Sequence, residues 1–375
     1  MNKKTIQPHK LQGKLVLPPS KSLAHRAIIC AGLARGESKI GNIEISDDIG
    51  ATIDVMRGFG ADIAINTASA DVVTLQINGD GIFSGNSPLT LDCRESGTTL
   101  RLTSHLAPFY KGETEFIGSP RLMSRVDKSS SQHVSGKLLA APLSHGDSTI
   151  NIDAPLQSRG YVDLTVDMME HAGIHVTNDN YDSFAVHGGQ KYRPFEYTCE
   201  ADFSQAAFFL VANALGSEVE ITNLPSNSLQ GDRVILEILG MGTHGNIEIE
   251  AGQFPDLVPI LAVWSTFRDG NTSITNVARL RNKESNRLDA ITRGLNALGA
   301  EVRETEDGLF ISGRGADFCP NGGEVSGFND HRIVMSLAIA ATRAENPVII
   351  SDYLAVKKSY PNFWRDYERC CSHAF

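Results

Sequence analysis

One pattern of polar and apolar positions recurs six times along the chain. Each copy opens with Ser, Thr, Asp or Asn, continues as a mostly apolar run of helix length, turns at Gly or charged residues, and ends in a short strand. The copies begin near Ser20, Ser96, Ser129, Asp202, Asp256 and Asn329. Six copies predict two domains of three repeats each, in an α/β fold.

The helical runs are apolar on nearly every face, as in SKSLAHRAIICAGL from Ser20 and DFSQAAFFLVANAL from Asp202. Such a run predicts a helix buried inside its domain rather than an amphipathic surface helix. The Ser, Asp and Asn residues at the starts are those that cap helix N-termini. A buried helix with a polar start can direct free N–H groups and the positive end of its dipole at an anion.

A second, more amphipathic helix follows most copies. The pattern predicts it over 47–63, 161–176, 230–242 and 284–302, with a shorter version around Asn362–Arg369. The second copy has no such partner, because only 33 residues separate its start from the next. The fourth copy, with 54 residues, also looks trimmed. We therefore expect two shortened repeats, with residues missing after Arg125–Lys128 and around Gly242–Asn246.

Length and composition fit two ordinary globular domains. The chain has 375 residues, of which 41% are hydrophobic and 21% charged, and single cores stop growing near about 250–300 residues. The start MNKKTIQPHK lacks a following apolar region, and no apolar stretch approaches the roughly 18 residues of a membrane span, so we expect a cytosolic protein. The six scattered cysteines form no CxxC pair or zinc-type spacing and are interpreted as reduced thiols.

Charge excludes one class of partner and indicates another. A formal net charge of −10 argues against nucleic acid, which requires basic surface. Eight cations nevertheless fall beside helix starts or in Gly, Pro and Ser turns, where a cleft can focus positive potential on a small anion. They are Lys21, Arg26, Arg101, Arg121, Lys283, Arg287, Arg332 and Lys358. No Walker A sequence is present, so that way of binding phosphate does not apply.

Three acidic residues, Asp256, Glu284 and Asp330, fall in the same windows. A carboxylate among cations is held in its charged form and can serve as a general base. Two structural alternatives remain open: Asp256 as the N-cap of LVPILAV, and Glu284 as an i, i+3 ion pair with Arg287. His331 lies next to Asp330 in one of these windows, and a helix-start hydrogen bond is its alternative role.

These motifs resemble the 3-phosphoshikimate 1-carboxyvinyltransferase, or 5-enolpyruvylshikimate-3-phosphate (EPSP) synthase, family. The resemblance runs from about Leu15 to Trp364. Its motifs, in order, are LPPSKSLAHRA, SDD, SGTTLR, GSPRLMSR, SSQ, YVDLTV, QGD, PDLVPILA, RNKESNRL, NDHR and KKSYPNF. The chain departs from the family pattern at Glu95, Asn286 and Arg279, where Asn, Asp and Asn respectively are common.

The resemblance implies a two-domain enolpyruvyl transferase fold, each domain a threefold array of βαβαββ units with helices inside and sheets outside. It places an N-terminal domain at 20–199, with its second repeat truncated. Residues 1–19 and 200–375 form the other domain, with its first repeat trimmed. The chain would cross between domains near Pro18–Ser20 and near Cys199–Asp202.

The resemblance also implies the substrates and their ligands. Lys21, Ser22 and Arg26 would contact both substrates. Shikimate 3-phosphate would be held by Ser130, Ser131, Gln132, Ser158, Tyr161, Asp256 and Lys283. Phosphoenolpyruvate would be held by Gly97, Arg101, Arg121, Arg287, Arg332 and Lys358.

In the implied reaction of the shikimate pathway, the acceptor 5-hydroxyl attacks C2 of phosphoenolpyruvate while C3 is protonated, and the tetrahedral intermediate then expels phosphate. Glu284 and Lys21 are the candidates for the proton transfers, with Asp256 at the hydroxyl. No metal or organic cofactor is implied, and we expect a cytosolic monomer.

Two alternatives remain. A UDP-N-acetylglucosamine enolpyruvyl transferase would carry a reactive Cys in the loop that here reads GSPRLMSR. A catalytically weak paralogue would keep the pocket for phosphorylated anions but lose turnover with the missing stretches.

Overall fold

A computed structural model describes residues 2–67, 69, 71–124, 130–153 and 155–371. The predicted repeat start at Ser129 and the stretch Arg125–Lys128 lie outside the described residues. No described helix is long and apolar enough to cross a membrane.

The chain divides into two compact units. One contains residues 19–200, and the other contains 1–18 together with 201–375. Both boundaries lie one residue from those implied by the sequence motifs. We call residues 19–200 the N-terminal unit, and residues 1–18 with 201–375 the C-terminal unit.

The helices and strands alternate through both units. The first two strands, β1 (Lys3–Ile6) and β2 (Gln12–Leu15), belong to the C-terminal unit. The N-terminal unit contains α1 (Lys21–Leu33), β3 (Glu37–Ile43), α2 (Asp47–Gly58), β4 (Asp62–Thr67), β5 (Val73–Asn78), β6 (Leu89–Asp92), α3 (Gly97–Thr103), β7 (Thr114–Ile117), α4 (Pro120–Met123), α5 (Ser131–Ala140), β8 (Ser148–Asn151), α6 (Arg159–His171), β9 (Val176–Asp179), β10 (Ser183–Val186) and β11 (Glu196–Thr198). The remainder of the C-terminal unit contains α7 (Phe203–Ala214), β12 (Glu218–Ile221), α8 (Ile235–Gly240), β13 (Ile247–Glu250), α9 (Val258–Thr266), β14 (Asn271–Thr275), α10 (Arg287–Ala297), β15 (Glu301–Glu304), β16 (Leu309–Ser312), β17 (Gly323–Val325), α11 (His331–Ala341), β18 (Val348–Ser351) and α12 (Phe363–Cys371).

Among the described residues each unit has three sheets of different sizes. In the N-terminal unit the strand orders are β11-β3-β5-β4, β8-β10-β9 and β6-β7. In the C-terminal unit they are β13-β14-β16-β15, β1-β18-β17 and β12-β2. The two-stranded sheets are parallel pairs without an antiparallel hairpin, and they belong to the two repeats that the spacing predicts to be short.

The first helix of each repeat lies in the core. All residues of α1 from Leu23 to Leu33 are buried, and every residue of α9 is buried. The α/β class is confirmed, and so are the predicted buried helices, except that α3 is buried only in part. The apolar side chains of these helices form one continuous core in each unit.

Several predicted helix bounds were wrong. The helix predicted over 47–63 ends at Gly58, because its amphipathic pattern continues into β4. The helix predicted from 284 begins at Arg287, where the side chain of Asn286 accepts a hydrogen bond from the backbone of Asp289. The run GTTLRLTSHLAPF is helical only to Thr103 and continues as a 3-10 helix, Ser104–Phe109, which contains Pro108.

Candidate active site

The start of α1 presents a paired lysine and an unused serine. Nζ of Lys21 lies 2.8 Å from Oδ2 of Asp48, and both side chains are largely buried. Ser20 is the N-cap residue, yet its hydroxyl makes no capping bond and has no hydrogen-bond partner among the described residues. A buried hydroxyl at a helix start is a ready donor for an anion.

Arg26 joins α1 to α6 from a fully buried position. Its guanidinium donates to Oγ1 of Thr165 at 2.7 Å, to the carbonyl of Ser22 at 2.8 Å and to the carbonyl of Tyr161 at 2.6 Å. All three acceptors are neutral, and burial lowers the pKa of Arg26 to about 10. Three of its five N–H groups are used, so a cation with no anionic partner among the described residues is held beside two predicted site residues.

Arg101 is held over the start of α3. Its Nη1 donates to Oε1 of Gln132 at 2.8 Å, and Nε2 of Gln132 donates to Oγ1 of Thr98 at 2.9 Å. A Cβ at Gly97 would lie 2.6 Å from Nη1 of Arg101, so a larger residue would displace the guanidinium. The structure therefore brings together three predicted site residues, Gly97, Arg101 and Gln132.

Serines mark two further helix starts in this unit. Ser130 is the N-cap of α5, and its buried hydroxyl, like that of Ser20, has no hydrogen-bond partner among the described residues. Ser158 is the N-cap of α6 and has a left-handed backbone with φ 56°. Non-glycine residues seldom adopt that conformation outside functional sites and tight turns. Ser131 is buried, whereas Arg121 lies exposed on the short helix α4.

The C-terminal unit has a buried arginine surrounded by three carboxylates. Arg287 contacts Oδ1 of Asp256 at 2.8 Å, Oε2 of Glu284 at 2.7 Å and Oδ2 of Asp330 at 2.9 Å. Burial alone would lower the pKa of Arg287, but the three carboxylates raise it. Arg287 in turn holds the pKa of Asp330 below its usual value despite burial. The cluster favours the charged form of Asp330 and orients all three carboxyl groups.

The two structural alternatives for these acids have different outcomes. The i, i+3 pair between Glu284 and Arg287 is present. Asp256 is not the helix N-cap, because a 3-10 turn, Pro255–Leu257, precedes α9. Its second oxygen instead lies 3.6 Å from Nη2 of Arg332.

Arg332 has donors to spare. Its Nη1 donates to the carbonyl of Ser204 at 3.0 Å, and its buried Nε has no hydrogen-bond partner among the described residues. Arg332 is the second residue of α11, whose N-cap Asp330 accepts from the Arg332 backbone. An anion at this helix start would meet both the guanidinium and the helix dipole.

The two remaining predicted cations lie at the ends of 3-10 helices, Lys283 directly after Ala278–Asn282 and Lys358 as the last residue of Tyr353–Lys358. Burial lowers the pKa of Lys283, an effect that Asp256 and Glu284 oppose. Nζ of Lys358 donates to the carbonyl of Asn329 at 2.7 Å. Asn329 and the preceding Phe328 both have positive φ, so Lys358 braces a strained turn that leads into α11.

Sequence reasoning missed the residues that hold these cations in place. Asp48, the partner of Lys21, was part of the SDD motif but received no role. Ser204 and Asp232, which lie behind Arg332, received none either. Their partners are 27 or more residues away in the chain, so no local spacing could reveal them. No group of three or more His, Cys, Asp or Glu side chains suited to a metal ion occurs within the described ranges.

Comparisons with known proteins cover nearly the whole chain. The family model of EPSP synthase (3-phosphoshikimate 1-carboxyvinyltransferase) matches residues 6–126, 126–253 and 242–367. The 3-phosphoshikimate 1-carboxyvinyltransferase of Clostridium perfringens (strain SM101 / Type A) is 41% identical, with 98% of each chain covered. That of Clostridium acetobutylicum is 42% identical, covering 98% of this chain and 96% of the relative. EPSP synthase from Acinetobacter baumannii has the same fold, with a TM-score of 0.79 at 24% identity, covering 99% of this chain and 98% of that one.

The matches also locate the shortened repeats. The family model matches in three segments, which meet at residue 126 and overlap over 242–253, close to the two places where the sequence analysis expects missing residues. The alignment with the C. perfringens protein runs over 423 positions, although this chain has 375 residues. Because the family model covers most of the chain and these relatives are more than 40% identical over nearly all of it, the chain belongs to the EPSP synthase (3-phosphoshikimate 1-carboxyvinyltransferase) family.

Proposed function

We propose that the protein transfers the carboxyvinyl group of phosphoenolpyruvate to the 5-hydroxyl of shikimate 3-phosphate, with release of phosphate. The curated relatives are named for this activity, and the similarity to them covers nearly their full length. The observation that carries the proposal is a set of buried cations with unused donors. Arg26 has only neutral acceptors, and Nε of Arg332 lacks a partner among the described residues. Phosphate and carboxylate oxygens would satisfy both.

The proposed ligands are those that the family resemblance assigns within each unit. In the N-terminal unit Lys21, Ser22, Arg26, Gly97, Arg101, Arg121, Ser130, Ser131, Gln132, Ser158 and Tyr161 are the proposed ligands. In the C-terminal unit they are Asp256, Lys283, Glu284, Arg287, Arg332 and Lys358. Preorganised cations that face developing phosphate charge lower the barrier without reorganisation during the reaction. The proposed mechanism uses no metal or organic cofactor. We also propose that the protein is a cytosolic monomer.

The proposed proton transfers use the acids around Arg287. Asp256 takes the proton of the acceptor hydroxyl as the hydroxyl oxygen attacks C2 of phosphoenolpyruvate, while Glu284 or Lys21 donates the proton that C3 gains. In the second step the group that donated this proton takes one back from C3, the C2–O bond to phosphate breaks, the vinyl double bond returns, and the proton held by Asp256 leaves with the phosphate. Arg287 keeps Asp256 and Glu284 at fixed distances of 2.8 and 2.7 Å, which holds an acid and a base in place.

Phosphate release tests the proposed function. We expect release only when phosphoenolpyruvate and shikimate 3-phosphate are both present, and none with either alone. Release with UDP-N-acetylglucosamine as acceptor would favour the other enolpyruvyl transferase. Tight binding of both substrates without release would favour the anion-binding paralogue, and either result would contradict the proposal.

Replacing the proposed acid tests its role. Glu284→Gln keeps the size and a hydrogen bond to Arg287 but cannot carry a proton, so kcat should fall by about 10²–10⁴ with little change in KM. Glu306→Gln, at an exposed position, is the matched control. A raised KM at unchanged kcat would make Glu284 a binding residue.

A further inference from the structure

A buried carboxyl group lies directly behind Arg332. Asp232, in the 3-10 turn Gly231–Val234, is 4% exposed and accepts a hydrogen bond from the hydroxyl of Ser204. Within the described parts of the chain, no cation lies within 4.0 Å of its carboxylate. A buried carboxylate with one neutral donor is poorly compensated for its charge.

Ser204 connects this carboxyl to the candidate site. It is the second residue of α7, and its hydroxyl reaches Asp232 while its carbonyl accepts from Nη1 of Arg332 at 3.0 Å. The same residue therefore contacts the acid on one side and the guanidinium on the other. Moving Ser204 would move an acceptor of Arg332.

We propose that Asp232 is a positioning residue for Arg332, acting through Ser204, and that it takes up a proton when the anionic substrate binds there. This inference rests on the proposed function, in which Arg332 holds phosphoenolpyruvate. It assigns a role to a residue outside the proposed ligands.

The charges around Asp232 set the direction of the effect. Burial and the facing carboxylate of Asp256 raise the pKa of Asp232 to about 7. The charge of Arg332 and the hydrogen bond from the Ser204 hydroxyl lower the pKa of Asp232, whereas Asp202, the N-cap of α7, raises it. An anion bound at Arg332 adds negative charge nearby and favours the protonated acid further. Binding and proton uptake are then linked, so affinity should weaken as pH rises above about 7.

Kinetics of Asp232→Asn test the linkage. The amide has the same size, can accept the Ser204 hydrogen bond and is permanently neutral. KM for phosphoenolpyruvate is measured from pH 6 to 8.5 at saturating shikimate 3-phosphate, and each wild-type value is divided by the variant value, which cancels the ionisation of the substrate itself. We expect a ratio near unity at pH 6 that rises to about tenfold at pH 8.5, with kcat nearly unchanged.

Glu237→Gln is the matched control, because it removes one exposed charge from the following helix α8. For Glu237→Gln, the wild-type KM divided by the variant KM should not change with pH. A constant ratio for Asp232→Asn, or an equal loss of kcat at every pH, would overturn the proposal.

A measurement without substrates separates this inference from the proposed function. An acid with a raised pKa in the folded state binds its proton there but not in the unfolded chain between about pH 4 and 7, so its contribution to stability falls as pH rises through that range. The Tm of the ligand-free wild type should therefore drop more between pH 5 and 8 than that of Asp232→Asn. Equal drops would contradict the proposal even in an active enzyme.

Ser204→Ala provides a second variant should Asp232→Asn fail to fold. It leaves the carbonyl that contacts Arg332 and removes the only hydrogen-bond donor of Asp232 within the described residues. The ionised acid then loses stabilisation, and the pH above which KM rises should move upward. An unchanged pH profile would refute the connection through Ser204.

Discussion

The first and second repeats of the N-terminal unit begin alike and end differently. In α1 eleven consecutive residues, Leu23 to Leu33, are buried. In α3 and its 3-10 extension, burial is interrupted, and only Gly97, Thr99, Leu102, Thr103 and Leu106 are buried. The complete repeat surrounds its helix, whereas the shortened one covers one side of it.

The sheets show the same contrast. The strand after α1, β3, has an antiparallel neighbour in β5 and a parallel one in β11. The strand after α3, β7, has only its parallel neighbour β6 among the described strands. The described part of the shortened repeat therefore keeps the strand β6, which leads into the helix start, and has no outer hairpin.

Aromatic side chains of the first repeat replace part of that covering. Phe59 lies 6.3 Å, centroid to centroid, from both Tyr110 and Phe116, and Phe83 lies 6.3 Å from Phe109. Such tilted pairs each contribute about 0.5–1.5 kcal/mol beyond their buried area. The comparison indicates that the outer layer of a repeat can be lost while its site-bearing helix start is retained.

The largest expected effect comes from removing the cation at either helix start. Lys21→Met in the first repeat and Arg101→Ala in the second should each lower kcat/KM by about 10² or more, because each removes a preorganised charge from the proposed anion site. Both variants should remain folded, since neither opens an apolar cavity. Lys39→Met, at an exposed position on β3, is the control. Near wild-type activity in both variants would refute the site assignment.

Alanine substitutions at two glycines compare how tightly α5 packs against α3 and α1 packs against α2. A Cβ at Gly136 on α5 would lie 2.3 Å from the backbone oxygen of Arg101 in α3, where nothing flexible can yield. A Cβ at Gly32 on α1 would lie 2.6 Å from Cε of Met56, the end of a flexible side chain. Gly136→Ala should therefore destabilise by about 1–3 kcal/mol, and Gly32→Ala by less, in urea unfolding. Equal effects would show that α3 yields as easily as a methionine side chain.

Some of this organisation could be predicted from the sequence and some could not. The repeat count, the two shortened repeats and the buried first helices follow from periodicity and spacing, which are local properties. The Glu284–Arg287 pair was also within reach, because it is an i, i+3 contact. The contacts Lys21–Asp48, Arg287–Asp330 and Ser204–Asp232 span 27, 43 and 28 residues, and only the folded chain specifies them.

Amide hydrogen exchange measures the difference in covering directly. Amides in 96–128, of which 125–128 lie outside the described residues, should exchange faster than those in 20–34. Interrupted burial lowers the free energy of local opening, and a difference of about tenfold corresponds to about 1.4 kcal/mol. Mass spectrometry of the dilute protein resolves the two segments. Equal protection would show that the aromatic contacts cover the shortened repeat fully.

The smallest expected effect is a pH dependence carried by two histidines of the shortened repeat. Nε2 of His105, in the 3-10 extension of α3, lies 3.2 Å from Nδ1 of His133 on α5. Burial, together with the nearby His133 and Lys137, lowers the pKa of His105 to about 4. A histidine with a depressed folded-state pKa is neutral in the folded state, so its contribution to stability is lost as pH falls from about 6.5 to about 4.

His105→Gln cannot gain that charge and should lose less Tm over this range than the wild type. His187→Gln, at an exposed position, is the control. Because His105 is only partly buried, the difference should be smaller than that caused by Gly136→Ala, and identical pH profiles for wild type and His105→Gln would exclude this histidine pair as a link between α3 and α5.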